Sequence, residues 1–246
     1  LEVKYLAFHS EGLKLRVFLA RPEEEGPFPT VLVNHGGGGM DDVYEEMCLE
    51  LAGRGCLAAA MTFRGYPGSE GRQEYGKGEV RDLLNLVEYL KAQDNLADPA
   101  RIGMFGYSRG ALNTLLACQR SADFQAAVVW SAPVEMRWHA QMHPFVQDLV
   151  GGSPEALPEE YDLRSPLQAV EKFSCPLLIV HGEEDEVIPV EHAYLLAAEL
   201  ERQHKPFRLR IYPGEGHTFG ITAFYAAWKE TVEFLEQHLG FKGTEG

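Results

Sequence analysis

The sequence predicts an α/β protein, with a mostly parallel eight-stranded sheet flanked by helices, an antiparallel hairpin at its N-terminal end and one short cap insertion. Three observations predict it. Short apolar strands recur at residues 30–34, 56–62, 101–106, 126–131, 176–180 and 207–212 with helical segments between most of them, and this alternation implies a parallel sheet wrapped by helices. Residues 1–8 and 13–20 instead alternate apolar and polar side chains around Ser10-Glu11-Gly12, as an antiparallel hairpin with one wet face does. Finally, Gly106-Tyr107-Ser108-Arg109-Gly110 joins the apolar run 101–105 to the helix-like stretch 111–117, placing a serine on a strand-to-helix elbow.

The remaining elements follow along the chain. After the hairpin, a Pro/Glu-rich loop at 21–29 leads into strand 30–34, which ends in His35-Gly36-Gly37-Gly38-Gly39. The clearest helix, 79–93, sets Val80, Leu83, Leu84, Val87 and Leu90 on one face at helical period, and is read as a packing helix. Helices are also predicted at 190–203 and 224–238, the latter with Trp228, Val232 and Leu235 on a core-facing stripe. Residues 134–172 break the rhythm, carrying Gly151-Gly152-Ser153-Pro154, Pro158 and Pro166 without a strand. An insertion at that point overhangs the C-terminal edge of the sheet, where such folds bind ligands. A lid or cap is therefore expected, with a solvated excursion of short helices as the alternative.

Composition narrows the function. With 246 residues, 45% of them hydrophobic, the chain can bury a sizeable core, and one domain over 1–246 is expected. A formal net charge of −15 with no basic tract argues against nucleic-acid binding. No apolar run approaches the roughly 20 residues of a membrane span, and residues 1–5 lack the pattern of a secretory leader, so a soluble, cytoplasmic protein is expected. Cys48, Cys56, Cys118 and Cys175 lie far apart in apolar or helical sequence and are expected to be reduced thiols.

Glycines on both sides of Ser108 permit a sharp turn that holds its hydroxyl above the sheet. A serine hydroxyl needs a base to take its proton and an acid to orient that base. Later in the chain, His181-Gly182-Glu183-Glu184-Asp185 and Gly214-Glu215-Gly216-His217 each follow an apolar strand, so Asp185 and His217 fall on loops at the same sheet edge as Ser108. Glu183, Glu184 and Glu186 compete with Asp185 for the acid role. The backbone N–H of Arg109 and that of Gly37 or Gly38 are candidate oxyanion donors. A phosphate cradle is the rival reading of the glycine loop, but it lacks both G-x-G-x-x-G spacing and a P-loop ending. His139 and His143 have the i, i+4 spacing of a metal clamp, yet no third ligand motif accompanies them, so no metal and no cofactor are expected. His35 and His181 end strands and read as structural hydrogen-bonding residues.

Taken together, these motifs resemble the α/β-hydrolase superfamily, particularly prolyl-oligopeptidase (S9-like) catalytic domains and dienelactone-hydrolase-type esterases, over nearly the whole chain. Phe63-Arg64-Gly65-Tyr66-Pro67-Gly68-Ser69-Glu70-Gly71 is similar to the Arg-Gly loop of the S9 group, and Asp98-Pro99-Ala100-Arg101-Ile102-Gly103 to its lead into the nucleophile strand. The resemblance implies Ser108 as nucleophile, His217 as general base and then acid, and Asp185 as the orienting carboxylate. The chain departs from the peptidases in lacking room for a large propeller and in having glycine where they often have proline after His35-Gly36-Gly37. It departs from the dienelactone hydrolases in having serine, where they commonly have cysteine, at position 108. A carboxylic-ester hydrolase working through an acyl-enzyme is therefore expected, with an S9-like peptidase acting on short or N-blocked peptides as the alternative and a noncatalytic binding protein as a third reading. Tyr107, Trp138, Met142 and Phe145 are expected to line the substrate pocket. The Arg109 side chain either attracts a substrate carboxylate or anchors its loop through an ion pair.

Overall fold

The computed structural model describes residues 1–241; the one-domain expectation runs to residue 246, and 242–246 lie outside the described residues. An eight-stranded sheet forms the centre, in the order β1-β2-β4-β3-β5-β6-β7-β8. Strands β1 (Glu2–Ser10) and β2 (Leu13–Arg21) pair antiparallel, β2 pairs antiparallel with β4 (Leu57–Met61), and all later pairings are parallel. The hairpin turn is shorter than expected. Glu11 and Gly12 alone make it, both at positive φ (49° and 81°), as a two-residue hairpin turn requires, and Ser10 stays in its strand.

Strands β3 (Phe28–Asn34), β5 (Ala97–Tyr107), β6 (Phe124–Trp130), β7 (Leu177–Gly182) and β8 (Phe207–Tyr212) complete the sheet. Side-chain alternation sorts the core onto two faces. Leu32, Leu57, Ala59 and Met61 join an apolar cluster with residues of α2 (Gly78–Lys91), α3 (Arg109–Arg120) and α7 (Glu191–Arg202). Val31, Val33, Ala58 and Ala60 join the opposite cluster with α1 (Asp42–Gly53) and α8 (Ile221–Leu239). None of these helices is long and apolar enough to cross a membrane.

The segment between β6 and β7 folds as α4 (Met136–Met142), α5 (Phe145–Val150), α6 (Pro158–Asp162) and a 3-10 helix at Pro166–Lys172. It is a packed cap. Val134, Met136, Ala140, Val146, Tyr161 and Val170 are buried in the larger apolar cluster. Polar ties reinforce that packing: Glu135 caps α4 by accepting from the Trp138 amide at 2.6 Å, and Ser165 Oγ accepts from the Met136 amide at 2.9 Å. Arg164, 3% exposed, donates to the Tyr75 carbonyl at 3.1 Å, clamping the cap to the loop before α2.

Candidate active site

Ser108 occupies the junction of β5 and α3 with φ 54° and ψ −117°, a conformation that a non-glycine residue keeps only when its surroundings over-determine it. Those surroundings are close-packed backbone. A Cβ at Gly106 would collide with the Gly110 carbonyl and Thr114 Oγ1, and one at Gly110 with the Asn34 carbonyl. The Ser108 amide donates to the Trp130 carbonyl at 2.8 Å, and Thr114 Oγ1 donates to the Gly110 carbonyl at 2.8 Å.

The loops after β7 and β8 bring Asp185 and His217 to this serine. Ser108 Oγ lies 3.0 Å from His217 Nε2, and His217 Nδ1 lies 2.8 Å from Asp185 Oδ2. With Nδ1–H donating to the carboxylate, Nε2 is left to accept the serine proton. The other oxygen of Asp185 accepts from the amides of Val187 (2.9 Å) and Ile188 (2.7 Å). Burial works against ionisation of this carboxyl, but hydrogen bonds from His181, His217 and the Ile188 amide outweigh it and hold its pKa well below the ordinary carboxylate range. Glu183, Glu184 and Glu186 are exposed, whereas Asp185 is buried. Of the four acids, Asp185 is the one against His217.

The glycine loop after β3 forms the opposite wall. A Cβ at Gly37 or Gly38 would meet nothing within 4 Å, so both peptides border open space. His35 packs beneath them. Its Nε2 accepts from the Phe63 amide at 3.0 Å while Nδ1 donates to the Gly36 carbonyl at 2.8 Å, and burial pushes its pKa down to about 4. A neutral imidazole is thus fixed in one tautomer as a strut.

Ser108, Arg109, His217 and the glycine loop open onto a cleft of about 730 Å³. Phe145 lines it, and so does Tyr107, whose hydroxyl donates to the His217 carbonyl at 2.7 Å. Trp138 and Met142 do not line it. Trp138 stacks on His192 with ring centroids 4.3 Å apart, and Met142 is exposed. His139 and His143, each one residue further along the chain, line the cleft instead. A residue's shift around a helix is about 100°, enough to exchange the cleft side for the outside. Both histidines are engaged within the protein: His139 Nε2 lies 2.7 Å from the Tyr75 hydroxyl and His143 Nε2 2.7 Å from the Val187 carbonyl. Burial pushes the His139 pKa down to about 3. Among the described residues, no group of three or more His, Cys, Asp or Glu could hold a metal ion.

The Arg109 guanidinium is 4% exposed and donates to Tyr66 (2.8 Å) and Gln73 (2.5 Å), with Glu79 at 3.4 Å. Of its two expected roles, the geometry is that of an anchor. Tyr66 and Tyr75 also line the cleft and went unread in the sequence. Tyr66 sits inside a loop that carried meaning only as a motif, and Tyr75 takes a positive φ of 52° that no local pattern announces.

A strained serine facing an imidazole at the C-terminal edge of a parallel sheet is the arrangement of α/β-hydrolase-fold serine hydrolases, and this chain is of that class. More particularly, it belongs to the prolyl oligopeptidase family, whose profile matches residues 46–242. The uncharacterized peptidase YtmA of Bacillus subtilis is 29% identical over 220 residues, covering 87% of this chain and 85% of YtmA. Mouse dipeptidyl peptidase 8 is 28% identical over 249 residues, covering 93% of this chain and 28% of that protein. Among solved structures, a Mycobacterium tuberculosis puromycin-hydrolyzing peptidase aligns with a TM-score of 0.87 and 24% identity, over 98% of this chain and 40% of its own. An acylaminoacyl peptidase in complex with Z-Gly-Gly-Phe-chloromethyl ketone aligns with a TM-score of 0.85 and 25% identity, over all of this chain and 43% of its own. The chain thus spans most of YtmA but less than half of the dipeptidyl peptidase and of both solved peptidases.

Proposed function

We propose that the protein is a serine peptidase acting on short or N-blocked peptides, with Ser108 as nucleophile, His217 as base and then acid, and Asp185 as the orienting carboxylate. The observation that carries this reading is the relay from Ser108 Oγ through His217 to Asp185, with steps of 3.0 and 2.8 Å, at the mouth of the cleft. Ser108 attacks the acyl carbon as His217 Nε2 takes its proton. The oxyanion is received by the Arg109 amide and a glycine-loop amide. His217 then protonates the leaving amine, and water releases the acyl-enzyme. The imidazolium formed on the way is stabilised by the Asp185 anion.

Peptides are favoured over simple esters because the chain belongs to a peptidase family and YtmA, similar along most of its length, is named a peptidase. Ester turnover does not distinguish the two readings, since an ester has the better leaving group and any acyl-enzyme mechanism that cleaves an amide cleaves the matching ester. Amide turnover does. The cleft residues Phe145, Tyr107, His139 and His143 would receive substrate side chains, and we assign the protein to a reducing compartment such as the cytoplasm on the strength of its four buried free thiols.

The experiment compares an N-blocked aminoacyl p-nitroanilide with a short p-nitrophenyl ester, using wild type and Ser108→Ala. Cleavage of both is expected, with the variant slower by about 10⁴- to 10⁶-fold. Ester cleavage alone would return the assignment to the esterases. Full activity in Ser108→Ala would remove the mechanism.

A further inference from the structure

We infer that the side chains of Arg109 and Tyr66 form a positioning relay that sets the glycine-loop peptide facing the oxyanion, so that one residue, Arg109, governs both oxyanion donors. The inference rests on the Ser108 mechanism proposed above and adds to it a residue outside the expected site, Tyr66.

Each peptide of the glycine loop is pinned at one end. The Gly36 amide donates to Tyr44 Oη at 2.9 Å. The Gly36 carbonyl accepts from the Gly39 amide at 3.2 Å and from His35 Nδ1 at 2.8 Å. The Gly37 carbonyl accepts from the Tyr66 hydroxyl at 3.0 Å. In a trans peptide the C=O and N–H point in opposite directions, so holding the Gly36 carbonyl aims the Gly37 N–H, and holding the Gly37 carbonyl aims the Gly38 N–H. Neither amide donates to another residue among those described. They are the loop's free donors among the described residues, and there Tyr66 is the side chain whose bond to the Gly37 carbonyl orients the second.

Tyr66 is in turn held by Arg109. Its hydroxyl accepts from Arg109 Nη1 at 2.8 Å, and its ring packs within 3.2 Å of where a Gly39 Cβ would stand. A hydroxyl that accepts from a cation becomes a stronger donor, because linked hydrogen bonds polarise one another. The guanidinium itself is fixed by Gln73 and Glu79 and lies over the Tyr75 ring, 4.4 Å from its centroid. Meanwhile the backbone N–H of Arg109 follows the nucleophile and is the other oxyanion donor. Main chain and side chain of a single residue therefore tie the elbow after β5 to the loop after β3. This keeps both donors in fixed register while charge develops, the condition under which such donors accelerate acyl transfer without reorganising.

The test is Tyr66→Phe, which keeps the packed ring and removes only the hydroxyl. With an N-blocked aminoacyl p-nitroanilide, kcat is expected to fall by about tenfold to a hundredfold while KM stays within about twofold. The matching aminoacyl boronic acid, which forms a tetrahedral adduct on the serine, should lose affinity in proportion, while a cleaved-product carboxylate should bind as to wild type. A purely structural role would lower the melting temperature or raise KM and leave the boronate-to-product ratio unchanged. Arg109→Lys, which retains the charge but not the fork, is expected to recover less than wild-type kcat and to add no further loss in the double variant with Tyr66→Phe. Wild-type kcat and boronate affinity in Tyr66→Phe, with Ser108→Ala inactive, would overturn the relay alone. Activity in Ser108→Ala would overturn the parent reading and the relay with it.

Discussion

At Ser108 the chain holds φ at 54°, and the glycines that permit this are not equivalent to those of the loop opposite. Gly106 and Gly110 are glycines because backbone and Thr114 occupy the space a Cβ would take, whereas Gly37 and Gly38 face open cleft. Opposite outcomes are expected from the same substitution. Gly110→Ala should abolish folded, soluble protein, since the colliding atom is main chain that cannot yield. Gly37→Ala should fold with an unchanged or slightly raised melting temperature and lose roughly tenfold to a hundredfold in kcat/KM, because the new methyl stands beside the reacting carbonyl. Melting curves with steady-state kinetics on both variants check this; normal activity in Gly37→Ala would mean that the loop does not border the reaction. The same scale shows what the residues by themselves disclosed. Ser108, Asp185 and His217 were legible because each sits in a short string after an apolar strand. The choice of Asp185 over Glu183, Glu184 and Glu186 was not, because burial of one acid among four depends on the Val187 and Ile188 amides folding back onto it.

At the scale of elements, α4 lies within the insertion that the sequence marked as a cap without placing its helices, and the side chains it gives the cleft are not the apolar ones. Of the three large apolar residues of its sequence, Met136 is buried in the core, while the cap turns Trp138 and Met142 toward His192 and solvent and gives the cleft to His139 and His143. The rotation is set by distant partners: His192 Nδ1 accepts from the Val134 amide at 3.1 Å, and Ser165 from Met136. No periodicity within seven residues encodes that. From this orientation Phe145→Ala is expected to raise KM several-fold for a substrate with a bulky acyl-side residue and to spare kcat, since it removes binding common to ground and transition states. Met142→Ala should change neither parameter. Kinetics on a pair of anilides differing in that side chain decide it, and a Met142→Ala effect equal to that of Phe145→Ala would place the cleft on the wrong face. Helix α1 was not singled out in the sequence, although Tyr44, Met47, Cys48, Leu51 and Ala52 are its buried face at helical spacing; Val43 and Leu49, apolar but exposed off that stripe, blur the contrast between its faces.

For the molecule as a whole, buried neutral histidines make stability depend on pH. Burial lowers the pKa of His35, His139 and His192 to about 4, 3 and 4, while an unfolded-chain histidine titrates near about 6.5. Between those limits the unfolded state binds protons that the folded state does not, so this stability is complete above about pH 6.5 and is lost as pH falls toward about 4. Each histidine contributes a slope of up to about 1.4 kcal/mol per pH unit. Asp185, whose folded pKa is also depressed, adds a further loss that begins as pH falls through the ordinary carboxylate range. Urea unfolding between pH 7 and 5 should show stability declining with acidity, and less steeply in His139→Gln; an equal slope in that variant would count against a neutral buried His139. Sequence by itself determined the eight strands, their division into hairpin and parallel sheet, the elbow at Ser108 and the edge to which Asp185 and His217 return. Those properties are written in neighbouring residues, as periods of two and 3.6 and as glycines at turns. Only the tertiary structure decided which acid meets His217, which face of the cap lines the cleft, and that Tyr66 links Arg109 to the Gly37 carbonyl. The reason is distance along the chain: Gly37, Tyr66 and Arg109 are separated by 29 and 43 residues, and their meeting is fixed by the order of β4, β3 and β5 in the sheet, which no local pattern contains.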